Sequence, residues 1–230
     1  MKVEIWSDIV CPFCYIGKRN FENALTKFAS KDEVEVEWHS FQLDPSTKTQ
    51  PGQTLPEYLA ERKGITLEHA LELHNHVTQV ARQAGLTYHL DKAVIANTFD
   101  AHRLIHLAAT HGLQDAAEER LFSAYFTEGK NVGDLQTLIQ LGTDIGLDAE
   151  EIKRALNSNA YAQEVQQDQY LAQQVGARGV PFFVFNNKYA VSGAQPGEVF
   201  MKALQKSWEE EHALLVSTEA GGFCTTEGEC

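Results

Sequence analysis

At 230 residues the chain suits one domain with an insertion or two small ones, and its 43% hydrophobic residues, with 12 Phe, 7 Tyr and 3 Trp, can fill a core. A net charge of −13 at pH 7 and a pI near 5.1 argue against nucleic acid or an anionic membrane as partner. No apolar run approaches about 18 residues, so no transmembrane helix is predicted.

Lys2 to Trp6 alternates polar and apolar residues and predicts a short strand. Cys11-Pro12-Phe13-Cys14 follows, and then Phe21, Leu25 and Phe28 recur at helical spacing as far as about Ser30. Two cysteines therefore stand where a strand hands over to a helix. Pro12 fits there, because a first-turn N–H has no helical partner. Free N–H groups and the helix dipole at that end favour an anion, and hence a thiolate at Cys11. Cys14 falls one turn later on the same face, close enough for a disulfide. In this reading Cys11 attacks a substrate disulfide and Cys14 resolves the mixed intermediate. Half of a zinc site, or two buried structural cysteines, fit the same spacing; the flanking strand and helix favour redox chemistry. Met1-Lys2 leads straight into the strand with no apolar leader, which predicts a cytoplasmic protein.

Lys31-Asp32-Glu33 is a polar turn, and Val34 to Phe41 alternates as a strand with one buried face. The crossover helix makes these first two strands parallel. Asp44 to Gly52, with two prolines, is a loop. From Leu55 to Val175 helix formers dominate. Helices are predicted from Pro56 to a stop at Gly64, from a Thr66 cap to Gly85, from Asn97 to Thr110, from Asp115 to Glu128, and after Asp134 and Asp148. Phe182 to Phe185, a turn at Asn186-Asn187-Lys188, and Tyr189 to Val191 form a hairpin that Gly193 ends. A last helix runs from Pro196 to about Leu214, and a loose tail follows.

Pro181 opens an apolar strand, where a missing N–H costs no ladder bond. A cis Val180–Pro181 bond there would hold the backbone of Val180 open to an extended substrate segment. Phe13 is a candidate apolar substrate contact, and Asp8 a residue that fixes the loop by local hydrogen bonds. Cys224 and Cys230, separated by five residues that include Gly228, make a second candidate redox pair. A clasp on the tail, or two incidental thiols, are the plain alternatives. Glu227 and Glu229 flank the pair and disfavour its thiolates. No metal site is predicted: C-x5-C matches zinc spacing poorly, His102 and His106 lack the H-E-x-x-H glutamate, and the histidines read as scattered and solvated.

The order β-α-β, helices, β-β-α, with C-P-F-C at the first helix and V-P before the third strand, resembles the thioredoxin fold. The long helical segment between the halves resembles the DsbA family. Trp6-Ser-Asp-Ile-Val-Cys-Pro-Phe-Cys14, Phe41-Gln-Leu-Asp-Pro45, Asn97-Thr-Phe-Asp-Ala-His-Arg-Leu104, Leu121-Phe-Ser-Ala-Tyr-Phe126, Gly179-Val-Pro-Phe-Phe-Val184 and Ser192-Gly-Ala-Gln-Pro196 are similar to its FrnE-like branch. The resemblance implies an α/β thioredoxin-like fold with a large all-helical insertion. The parts are an N-terminal β-α-β segment at 1–54, helices at 55–165, an α-β-β-α segment at 166–214, and a tail at 215–230. It implies a thiol–disulfide oxidoreductase or isomerase acting on protein disulfides, with Cys11 as nucleophile, Cys14 as resolver and Pro181 as the cis proline. It needs no cofactor and draws on a cellular thiol reductant such as thioredoxin or glutathione. Thioredoxin-like proteins often keep a buried carboxylate behind the resolving cysteine, which makes Glu4 a candidate proton relay. Kappa-class glutathione transferases and hydroxychromene-carboxylate isomerases are similar in the helical insert but carry serine in place of Cys11. A glutathione-dependent transferase or isomerase is therefore the second expectation, and a peptide-binding, chaperone-like module the third.

Overall fold

The computed structural model describes residues 1–49 and 52–219, with side chains described as far as residue 213. β1 (Lys2–Ser7) pairs in parallel with β2 (Glu35–Ser40), joined by the right-sized crossover α1 (Pro12–Leu25). The other side of β1 pairs antiparallel with β3 (Phe182–Phe185), and β3 with β4 (Tyr189–Ser192). The sheet order is thus β2-β1-β3-β4, and β1 is an interior strand. Between β2 and β3 come seven helices: α2 (Leu55–Lys63), α3 (Leu67–Gln83), α4 (Phe99–Thr110), α5 (Gln114–Phe126), α6 (Leu135–Asp144), α7 (Ala149–Leu156) and α8 (Ala162–Gln174). α9 (Gly197–Glu219) closes the described chain. The fold is the α/β thioredoxin type with a helical insertion.

Local chemistry explains most of the boundaries. Thr54, Thr66, Asp134 and Asp148 each accept a backbone N–H of the first turn of α2, α3, α6 and α7. Gly64 ends α2 in the left-handed region, at φ 64°. Two boundaries differ from the sequence expectation. α1 stops at Leu25, where the Lys27 and Phe28 N–H groups turn to the carbonyls three residues back, of Ala24 and Leu25, and the chain to Ser30 is mostly turns. α9 runs on past Leu214 to Glu219.

The sheet has two covered faces. Val3, Ile5, Trp38, Phe183 and Phe185 pack under α1 and α9 through Phe21, Phe200 and Leu204. Trp6, Phe182 and Val184 pack under α8 through Ala172 and Ala177. A third cluster fills the helical insert and takes in Ile9, Cys11, Cys14, Tyr15 and Ile16 from the start of α1. The cysteines thus sit where the sheet layer meets the insert. β2 departs from the one-faced strand expected of it: Trp38, His39 and Ser40 are all buried, because helices cover both faces at that end.

Candidate active site

Cys11 is the N-cap of α1, in extended backbone at φ −85° and ψ 111°. Its N–H donates to the Asp8 carbonyl at 2.9 Å, its side chain caps nothing, and Pro12 follows at the first helical position. The sulfur therefore accepts no N–H of its own helix. It lies 3.5 Å from the Val180 carbonyl oxygen, to which the thiol donates. The Val180–Pro181 peptide is cis. Cys14 begins the next turn, its N–H donating to the Cys11 carbonyl at 3.0 Å, and both cysteines are free thiols.

The two sulfurs live in unequal surroundings. Cys14 is 1% exposed. Burial pushes its thiol well up, the neighbouring Cys11 adds to this, and the Asp8 backbone and Ser7 hydroxyl pull the other way. Cys11 is also buried, at 5% exposed, but it borders an apolar cavity of about 390 Å³, walled by Phe13, Leu43, Tyr58, Val77 and Phe126 among others. That volume lies within the range of small-ligand pockets. Phe13 is 42% exposed and Leu43 is also exposed, so an apolar rim surrounds the thiol. Of the predicted substrate contacts, Val180 stands against Cys11, Pro181 follows it, and Phe13 projects from the same turn.

Aromatic contacts hold that turn in place. Tyr15 stacks on Phe122 at 4.9 Å and Tyr88 on Phe126 at 4.5 Å, while the Tyr88 hydroxyl donates to the Pro12 carbonyl at 2.7 Å. Burial pushes the Tyr15 phenol up to about 12, helped by Glu119. Gly17 lets α1 approach the Pro181 loop. A Cβ there would meet Pro181 Cγ at 2.9 Å and Phe183 Cζ at 3.4 Å.

The structure places other predicted residues elsewhere. The Glu4 carboxylate meets His39 Nε2 at 3.3 Å and Lys2 Nζ at 3.5 Å; among the described residues none of its hydrogen bonds or ion pairs is to a cysteine. The histidines are not uniformly solvated: His39 and His102 are buried and His106 is half-buried. Asp8 reaches further than its local loop, with Oδ2 accepting the Leu43 N–H at 2.8 Å. Cys224 and Cys230 lie outside the described residues.

Two further clusters carry chemistry-bearing side chains. Asp168 Oδ1 meets His39 Nδ1 at 2.8 Å, and its Oδ2 accepts the Ser40 N–H at 2.7 Å and meets His106 Nε2 at 3.0 Å. Ser40 Oγ is 3.1 Å from that same His106 nitrogen. A nucleophile triad needs serine and aspartate on opposite ring nitrogens, so this group is a structural clip. Burial alone would lower the His39 pKa, but the hydrogen bond and charge of Asp168, with Glu37 and Glu4, raise it. Glu4, Glu37 and His39 bring ligand-type atoms within 4.8 Å of one another, but Lys2 already pairs with both carboxylates. The buried groups that sequence reasoning missed are His102, Glu118 and the buried role of Asp8. Their residue types are visible in the sequence, but their burial is a product of packing.

Comparison with known proteins agrees with this fold. A probable DsbA oxidoreductase of Streptomyces coelicolor superposes with a TM-score of 0.85 at 39% identity, covering 100% of this chain and 94% of that one. The cytosolic disulfide reductase DsbM of Pseudomonas aeruginosa shares the fold, with a TM-score of 0.62 at 17% identity over 94% of this chain and 100% of that one. The uncharacterized protein YwbO of Bacillus subtilis is 29% identical over 215 residues, 88% of this chain and 94% of its own. The family model for the DSBA-like thioredoxin domain matches residues 2–205. The chain belongs to the family of DsbA-like thioredoxin domains.

Proposed function

We infer that the protein is a thiol–disulfide oxidoreductase that acts on protein or peptide disulfides through Cys11 and Cys14. One observation supports this: a single helical turn holds two free thiols, one bordering an apolar cavity against the Val180 carbonyl and the other 1% exposed beside it. Cys11 thiolate attacks a substrate disulfide, one substrate sulfur leaves as thiolate, and a mixed disulfide forms. Cys14 then displaces the second substrate thiolate and the Cys11–Cys14 bond closes, so the dithiol loses two electrons and the substrate gains them. An extended substrate segment would pair with the backbone at Val180 and rest apolar side chains on Phe13.

This reading places the protein in the cytoplasm, where thioredoxin or glutathione restores the dithiol. Insulin reduction followed by turbidity tests it. Cys11→Ser abolishes the activity, while Cys14→Ser accumulates a mixed disulfide at Cys11 visible by mass spectrometry. Full activity of Cys11→Ser removes the reading. Undiminished protection of an aggregating client by the same variant would instead favour a chaperone-like binding module.

The apolar cavity beside Cys11 supports a second reading, a glutathione-dependent transferase or isomerase of small molecules. Its test is turnover of an apolar electrophile with glutathione by Cys14→Ser, which would leave Cys11 without a competing thiol.

A further inference from the structure

The Pro12 carbonyl and the Phe13 N–H are two ends of one peptide unit. The oxygen accepts the Tyr88 hydroxyl at 2.7 Å, from a residue 76 positions away in the sequence. The N–H belongs to the second residue of α1, one of the two places where an N-cap side chain finds a donor. The first turn has little else to offer. Pro12 has no N–H, and the Cys14 N–H is taken by the Cys11 carbonyl at 3.0 Å. Among the described residues the Phe13 N–H has no hydrogen-bond partner. As a thiol, Cys11 donates to the Val180 carbonyl. Once that proton leaves, the carbonyl offers the sulfur anion nothing, and a thiolate at the N-cap needs an N–H. The Phe13 N–H is the one left free for it.

Packing fixes the Tyr88 hydroxyl against that peptide. Tyr88 lies between α3 and α4, is 5% exposed, and stacks on Phe126 at 4.5 Å. The backbone on either side of it is pinned to the end of α5. The His89 N–H donates to the Phe126 carbonyl at 2.6 Å, and the Thr127 hydroxyl donates to the Thr87 carbonyl at 2.7 Å. Burial, then the charges of Cys11 and Cys14, hold the Tyr88 phenol well above its ordinary value. It therefore stays a donor over the whole range in which a thiol titrates.

We propose that Tyr88 is a positioning residue for disulfide exchange: by donating to the Pro12 carbonyl it polarises the Pro12–Phe13 peptide and makes the Phe13 N–H a stronger donor to the Cys11 thiolate. Hydrogen bonds linked through one amide strengthen each other by about 10–30%. The proposal rests on the dithiol reading above and names the residue of the helical insert that tunes its nucleophile. The other ionisable groups facing Tyr88 are Cys14, Tyr15 and Arg19, all on α1. Asp8, Asp44, Lys63, His74 and His76 wall the cavity beside Cys11. All of these remain when Tyr88 is changed, so a difference between two profiles belongs to Tyr88.

The test is the pH dependence of Cys11 alkylation by iodoacetamide in the full reduced chain, read at that residue by tandem mass spectrometry, beside capture of a labelled peptide disulfide. Tyr88→Phe keeps the ring and its stacking and removes only the hydroxyl. Its alkylation profile should move to higher pH, with rates on the acidic limb roughly 2–4-fold below wild type, the share that such strengthening adds to a bond with a charged acceptor. The two rates should meet once the thiol is fully ionised. Tyr88→fluorotyrosine, a stronger donor, should move the profile the other way, and it carries the test if Tyr88→Phe does not fold. An unmoved profile in either folded variant, or a deficit equal at every pH, overturns the proposal, while capture of the peptide keeps the dithiol reading intact. A wild-type protein that captures no peptide removes both.

Discussion

A cysteine's position within one helical turn decides its chemistry here. Cys11 has left the helix backbone as its N-cap and meets the Val180 carbonyl, the cavity and the apolar rim. Cys14 is inside the helix and beneath it, where a thiolate is costly. Iodoacetamide at neutral pH should therefore modify Cys11 well before Cys14, and peptide mapping after partial alkylation reads the order. Equal labelling of the two would contradict the asymmetry. Phe13 stands between them with nearly half its surface in solvent. Because nearly half of it stays in solvent, Phe13→Ala should cost far less than the ~3–5 kcal/mol of truncating a core aromatic. It should raise KM for insulin while leaving the melting temperature unchanged; the opposite pattern would make Phe13 a packing residue.

At the scale of elements, the site depends on how closely α1 lies against the loop before β3. Alanine inside a helix usually gains about 0.5–1 kcal/mol over glycine. At Gly17 the new methyl would instead press on Pro181, Phe183 and the Ala194 backbone. Gly17→Ala should therefore lower disulfide exchange by displacing Pro181, and a variant of full activity and raised melting temperature would show that the loop can give way. Asp168 ties α8 to β2 and α4 in the same manner, through His39, Ser40 and His106. Burial alone would raise its pKa, but the two histidines and the Ser40 N–H hold it well below the usual carboxylate range. The stability this gives is present above the unfolded value of about 3.9 and lost as pH falls through the folded one. His39, with its pKa raised, contributes fully below about 6.5 and loses that contribution as pH rises through its folded value. The clip is thus strongest between those limits. Asp168→Asn should cost about 3–5 kcal/mol within that window, less above it as His39 loses its charge, and progressively less below it as Asp168 is protonated, as read from urea midpoints against pH.

For the whole molecule, charge buried between layers matters more than the net −13 on its surface. Lys18 is almost fully buried, yet it pairs with Glu22 on its own helix and with Asp115 and Glu119 on α5, fastening α1 to the insert. Glu118, one residue along, has no such partner and is lifted to about 8. Its folded state keeps a proton that the unfolded chain releases above about 4.3, so stability declines as pH rises from there to the folded value, by up to about 1.4 kcal/mol per pH unit. Glu118→Gln should flatten that decline and be more stable than wild type at mildly alkaline pH. Parallel stability curves for the two proteins would show that Glu118 is ionised and paired in the folded state.

What the amino-acid sequence determined on its own is local. Strand positions, cap residues at Thr66, Asp134 and Asp148, the hairpin turn, and C-P-F-C at a strand-to-helix junction each depend on neighbours within a turn or two, and all appear in the fold. The β-α-β and β-β-α order was enough to indicate a thioredoxin-like sheet. Tertiary structure alone decided which polar groups lost their water. Glu4 reads as a relay and the histidines as solvated, because composition says nothing about which helix will cover them. Only when α8 covers Trp6 and His39, and α4 and α5 close over the first turn of α1, do Asp168, His102, Asp8 and Glu118 become buried polar groups. Burial is a property of pairs of elements distant along the chain, and the cost of removing a charge from water exists only once they meet.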